Sequence, residues 1–125
     1  FLTGTLLDVT GFDAKDIRRG MPRFQADAYA ANLALLGGLR DIARQAGCSP
    51  AQLALAWLLA QGGHVIPIPG TTRSEHLAED LGAADLMLDA STLAALDALI
   101  NQRTVTGARY NAQSQSEVDT EQFDA

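Results

Sequence analysis

The sequence predicts an α/β fold, mostly helical with one or two short parallel-type strands, that forms the C-terminal part of a larger and here incomplete barrel. Three observations carry this. The continuous apolar run Val65-Ile66-Pro67-Ile68-Pro69 lies between Gly62-Gly63 and Gly70, the pattern of a strand buried on both faces of a parallel sheet. Helical patterns with one apolar face surround it and need a sheet to lie on. A lone parallel-type strand cannot satisfy its own edges, so it needs neighbours on both sides. The chain also opens at Phe1 without an initiator Met, which reads as a start partway through a protein.

Taken in order, residues 1–4 read as the tail of a strand entering a turn. Residues up to about 24 form an irregular excursion broken by Gly11, Gly20 and Pro22, with a single helical turn expected near residues 13–18. Loops of this length are usually functional or disordered. Arg18, Arg19 and Arg23 are expected to form local salt bridges with Asp13 and Asp16. A helix follows over about 27–46, where Leu35, Leu36, Leu39, Ile42, Ala43 and Ala46 recur at three- and four-residue steps. Gly37 and Gly38 weaken it by roughly 1 kcal/mol each and allow close approach of a neighbouring backbone. Gly47 caps its end.

Ser49-Pro50-Ala51-Gln52 restarts the helix: Ser49 caps it, Pro50 suits the first position and Gln52 completes a capping box. The helix over 50–60 is apolar almost all round and is expected to be deeply buried, with Trp57 in the core. After the 65–69 strand, Thr72-x-x-Glu75 reads as a second capping box. Its helix runs to about Leu81 and stops at Gly82, with Leu77 and Leu81 facing the core and Arg73, His76 and Asp80 on the other side. A short extended connection leads to Asp89, which caps a last helix over 90–102. There Leu93, Leu96, Leu99 and Ile100 form the apolar face. Residues 1–110 are read as the barrel part and 111–125 as a polar tail, poorly ordered in isolation.

The chain has 125 residues, is 47% hydrophobic and 19% charged, and carries a net charge of −6, which suits one globular domain. An acidic chain with no basic run is a poor ligand for nucleic acid or anionic membranes, and no apolar run approaches the roughly 20 residues of a membrane span. Cys48 is the only cysteine and His64 and His76 the only histidines. No intramolecular disulfide and no metal cluster follow from them. No signal peptide is visible, and a reducing, cytoplasmic setting is expected.

The chemistry concentrates at residues 64–80, HVIPIPGTTRSEHLAED. A strand feeding a helix through a glycine-containing turn aims several backbone N–H groups at one point. The helix dipole adds partial positive charge there and Arg73 a full one, which makes an anion site. In α/β barrels the ligand site lies where strands turn into helices.

FLTG at 1–4, PRF at 22–24, SPAQLALAWLLAQG at 49–62, VIPIPGTTRSEHLAED at 65–80 and GARY at 107–110 together resemble the C-terminal part of an aldo-keto reductase, over nearly the whole chain. The resemblance implies a (β/α)8 TIM barrel and an oxidoreductase that moves hydride from NADPH to the carbonyl of aldehydes and ketones. Residues 1–4 then follow the seventh strand, whose preceding loop covers the cofactor pyrophosphate, and 65–69 is the eighth strand. Gly70, Thr71, Thr72 and Arg73 match the turn that holds the 2′-phosphate of NADPH. His76 matches a polar or basic position beside it, and Glu79 and Asp80 match a Glu-Asn pair that reads the adenosine. Asp80 departs from the family's Asn: a carboxylate accepts from the adenine amino group but cannot donate to a ring nitrogen, which weakens the grip.

The family's catalytic Asp, Tyr, Lys and His lie on earlier strands, before Phe1. Tyr29, Tyr110 and Lys15 match neither the motif nor the place, so no catalytic residue is assigned and the fragment alone is expected to be inactive. The excursion and the segment around 107–110 are expected to border the pocket for a small carbonyl substrate. Two readings from other classes stay open: a non-enzymatic half-barrel binding a partner through its open edge, and a helical interaction module without a nucleotide role.

Overall fold

A computed structural model of the chain describes residues 1–119. Among them are α1 (Ala26–Gln45), α2 (Pro50–Ala60), α3 (Ser74–Gly82), α4 (Ala90–Leu99) and α5 (Ala112–Ser116), with short 3-10 turns before α1 and between α3 and α4. There is no β-strand among the described residues. The expected buried strand at 65–69 is therefore corrected. This run has no ladder partner, and Ile66 and Ile68 are 78% and 92% exposed. An apolar run can favour a strand by composition, but its hydrogen bonds and its burial both need neighbouring strands.

The helices instead pack on one another: α1 lies against α2 and α4, and α2 against α3. Tyr29, Asn32, Leu36, Leu39 and Ala43 form the buried stripe of α1, stepping by three and four as one face of a helix must. Leu36, Leu39 and Ala43 meet Leu53 of α2 and Leu96 of α4 in the core. Burying a side chain of this size contributes about 1.5–3 kcal/mol. The close approach expected at the glycine pair occurs at Gly38 alone, and against a side chain rather than a backbone. A Cβ there would lie 2.8 Å from Leu99 Cδ1, whereas one at Gly37 would meet open space. Gly47, at φ +69°, closes α1: its N–H reaches the Arg44 carbonyl at 3.2 Å and that of Cys48 the Ala43 carbonyl at 3.0 Å.

The capping box of α2 forms as expected. Gln52 N–H donates to Ser49 Oγ at 3.2 Å and Ser49 N–H to Gln52 Oε1 at 3.1 Å. Only Leu53 and Ala56 of this helix are buried, and Leu59 is exposed, so the expected deep burial is not reached. Trp57 packs on the core and its Nε1–H donates to Asp97 Oδ1 at 2.8 Å. In α4, Asp89 Oδ1 accepts the Thr92 N–H at 2.7 Å. The helix stops three residues short of the expected end because Asn101 Nδ2 donates to the free carbonyls of Asp97 and Ala98.

The turn expected near 13–18 forms, with the Asp16 N–H on the Asp13 carbonyl at 3.0 Å, and the chain turns again at Ile17–Gly20 and Pro22–Phe24. Of the expected ion pairs only Arg18–Asp16 forms, at 2.6 Å. Arg19 and Arg23 donate instead to the carbonyls of Phe12 and Gly107, each at 3.0 Å. Within the polar tail read from 111, α5 forms under an Asn111 cap; the last part of that tail, 120–125, lies outside the described residues.

Candidate functional site

The bend at 70–73 is organised by Thr71. Its Oγ1 accepts the Arg73 N–H at 3.1 Å, which turns the chain one residue before α3. Arg73, not Thr72, therefore occupies the N-cap position, and no side chain caps the helix. The capping box read at Thr72 and Glu75 is corrected accordingly: the Thr71 turn places the helix start one residue later. The first-turn N–H groups of α3 are left open at a helix N-terminus, the end where partial positive charge gathers.

Gly70, Thr71, Thr72, Arg73 and His76 are all exposed around this bend, while Glu79 and Asp80 are half-buried further along α3. The Arg73 guanidinium is held by Glu75, with Nη2 2.9 Å from Oε2. Both groups are largely exposed, so the pair is weak and an arriving anion can displace the carboxylate. At Gly70 a Cβ would meet nothing within 4 Å, so the bend is open on that side.

One side chain holds α3 in place. Gln52 uses its Oε1 in the α2 capping box and donates its Nε2–H to the Glu79 carbonyl at 3.0 Å. Gly82 makes room for it, since a Cβ there would lie 2.7 Å from Gln52 Nε2. The helix carrying the candidate anion site is thus pinned to α2 by a residue the sequence marks only as a cap. Leu77 and Leu81, expected to face the core, are exposed instead. Leu77 and Leu81 are 51% and 66% exposed, as Ile66 and Ile68 of the preceding run are also exposed.

The excursion and the later segment do meet, around a cleft of about 420 Å³. Asn32 ties the later segment to α1: Nδ2 donates to the Thr106 carbonyl at 2.9 Å, and the Thr106 N–H donates to Oδ1 at 2.8 Å. Phe24 stacks on Tyr29, with centroids 5.6 Å apart and planes at 20°, and Phe1 meets Tyr29 edge-on. Tyr29 donates its hydroxyl to the Leu6 carbonyl at 2.7 Å, and burial pushes its pKa up. It anchors the excursion to α1. Arg18 clamps the same loop, with its guanidinium 4.3 Å from the Phe12 ring centre while paired to Asp16. That pairing holds the Asp16 carboxyl down at about 2.

Sequence reasoning missed this aromatic and amide framework. Its one legible sign is Asn32, a polar residue inside an otherwise apolar three-four stripe. Among the described residues no group of three or more His, Cys, Asp or Glu could hold a metal ion. No helix there is long and apolar enough to cross a membrane.

The Aldo/keto reductase family model matches residues 2–101. The chain is 40% identical over 110 residues to the aldo-keto reductase yakc of Schizosaccharomyces pombe, whose name carries NADP(+). That match covers 88% of this chain and 32% of the relative. Identity is 36% over 108 residues to the aldo-keto reductase str7 of Strobilurus tenacellus, covering 86% and 32%. It is 36% over 100 residues to an aldo-keto reductase of Gibberella moniliformis, covering 80% and 30%. The chain therefore spans about a third of the length of the curated relatives it matches. With most of its residues inside the family match, the chain belongs to the aldo/keto reductase family.

Proposed function

We propose that this chain is the C-terminal, cofactor-clamping part of an NADPH-dependent reductase of aldehydes and ketones, built as a (β/α)8 barrel. In this reading the bend at 70–73 holds the adenosine 2′-phosphate. The observation that carries it is the uncapped N-terminus of α3 beside an exposed arginine. Open N–H groups, a helix dipole, two threonine hydroxyls and a guanidinium are the donor set that a phosphate dianion requires. The NADP(+) in the name of the fission-yeast relative agrees with it.

The residues suit the group. Gly70 leaves the bend open, Thr71 and Thr72 offer hydroxyls, and Arg73 exchanges Glu75 for the phosphate. His76 adds an exposed imidazole on the first turn of α3. Glu79 and Asp80 face the adenosine, Asp80 as an acceptor only. When bound, the reduced nicotinamide supplies the hydride. This chain's own residues supply the grip on the far end of the cofactor, and no catalytic residue is assigned to them. On this reading the 125 residues alone do not reduce a carbonyl. The substrate is a small carbonyl compound, and the setting is cytoplasmic, where Cys48 stays a free thiol.

The test is a fluorescence titration of NADPH and NADH into the complete reductase that carries this segment. Arg73→Ala is expected to lower the ratio of NADPH to NADH affinity by about 10- to 150-fold, the loss of a charge-assisted hydrogen-bond pair. An unchanged ratio removes Arg73 from the 2′-phosphate site.

A further inference from the structure

The cleft between the excursion and the segment at 105–110 has an apolar floor and two cations at its edge. Phe24 and Tyr29 give a flat stacked wall, and Ile100 and Val105 line it further. Arg23 and Arg109 line the same cleft. Of the other cleft-lining polar side chains, Asn32 and Tyr29 are already spent on the Thr106 backbone and the Leu6 carbonyl, and Tyr110 adds a hydroxyl beside Arg109.

The two arginines stand differently from those that carry ion pairs. Arg18, Arg44 and Arg73 each hold a carboxylate, at 2.6, 3.0 and 2.9 Å. Among the described residues Arg19, Arg23, Arg40, Arg103 and Arg109 hold none, and of these only Arg23 and Arg109 line the cleft. Arg23 is fixed in place through its Nε–H, which donates to the Gly107 carbonyl at 3.0 Å. That bond leaves its two terminal nitrogens as a rigid pair of donors. The Arg109 guanidinium carbon lies 5.2 Å from the centre of the Tyr110 ring, steadied by the ring face. Burial first, and then the charge of Arg109, lower the Arg23 pKa. The two charges therefore sit close enough to feel one another. Like charges in a partly desolvated cleft repel, and an anion between them removes that cost.

We propose that Arg23 and Arg109 are specificity-determining residues that select carbonyl substrates bearing an anionic group, a carboxylate or a phosphate, on a flat apolar body. The inference rests on the reductase reading above. A planar guanidinium matches either anion through two parallel hydrogen bonds. The stacked rings take the apolar body, and about 420 Å³ is in the range of small-molecule sites.

Two substrate pairs that differ in charge test it in the complete reductase. 4-Carboxybenzaldehyde is compared with its neutral methyl ester, and 4-formylphenyl phosphate with 4-methoxybenzaldehyde. We expect kcat/KM to favour the anionic member of at least one pair by tenfold or more, and the pair that responds identifies the anion. Arg109→Gln is expected to bring that ratio down roughly tenfold or more. Arg23→Gln also breaks the bond to Gly107 and is read alongside circular dichroism. Arg23→Lys, which keeps charge without the fork, is expected to retain part of the selectivity.

Calorimetric binding of benzoate and phenyl phosphate to the same protein needs no turnover. Binding that weakens in Arg109→Gln supports the proposal, and no binding by either anion overturns it. Equal reduction of both members of both pairs overturns it too, while leaving the reductase reading intact. An Arg109→Gln variant that loses NADPH affinity as strongly as anion affinity assigns the arginines to the cofactor and overturns it. Glu121→Gln with Asp124→Asn checks for an occupant within the chain. Selectivity rising by more than twofold means that these carboxylates are the partners of the arginines, which also overturns the proposal.

Discussion

The core of α1, α2 and α4 and the limb formed by 65–69 with α3 are built from similar residues and meet opposite fates. Leu53 is 0% exposed and Ile68 is 92% exposed. Leu36 and Leu39 of α1 are closed in by their neighbours, whereas Leu77 and Leu81 of α3 face outward. Hydrophobicity sets which side chains gain from burial. Chain topology sets whether the surface that would bury them is present. In the first region three helices cover one another. In the second, Ile66 and Ile68 of the apolar run and Leu77 and Leu81 of α3 are left exposed by the described residues. The candidate anion site lies on this second region, held to the first through Gln52.

The largest effect that can break this comparison is at its closed end. Leu53→Ala removes a fully buried side chain from between α1 and α4. It is expected to cost about 2–5 kcal/mol, read as a lower urea midpoint with an unchanged slope. A cost under 1 kcal/mol would mean that this region is as loosely covered as the limb.

The next effect sharpens the comparison at the cleft. Asn32→Leu keeps a side chain of similar size but strands both backbone groups of Thr106. The expected cost is about 1–3 kcal/mol, with greater hydrogen exchange at the Thr106 amide. If exchange there is unchanged, the amide pair is not what holds the 105–110 segment on α1.

The parts of this fold that could be read from sequence are those decided within a few residues. The Ser49–Gln52 box, the Asp89 cap, the Gly47 stop and the three-four stripe of α1 are local, and each forms. The same motif misled at Thr72 and Glu75. There Thr71, one position earlier, binds the Arg73 N–H first, and two overlapping hydroxyls cannot be ranked by pattern. Leu77 and Leu81 misled for a different reason: an amphipathic face states a need for a partner, not its presence. At Gly70 to Arg73 the turn and the helix after it are consecutive, so a bend before α3 was legible, although the strand read before it is not formed. The cleft was not, because its walls come from positions as distant as Phe1, Asn32 and Tyr110. Only long-range pairing, such as Arg23 with Gly107, brings them together.

The smallest expected effect is the most direct test of the open limb. Ile68→Ser in the 125-residue chain replaces a side chain already in solvent, so stability should change by no more than about 0.5 kcal/mol. The complete barrel proposed above implies walls that would enclose the same position. There the substitution buries a hydroxyl and loses a large apolar side chain, at a cost of about 2–5 kcal/mol. The difference between the two contexts measures how much covering the remaining barrel supplies. Urea denaturation of both forms reads it directly. A loss above about 1.5 kcal/mol in the 125-residue chain would mean that the limb is covered in solution after all. The contrast between the two regions would then be one of neighbouring copies rather than of chain topology.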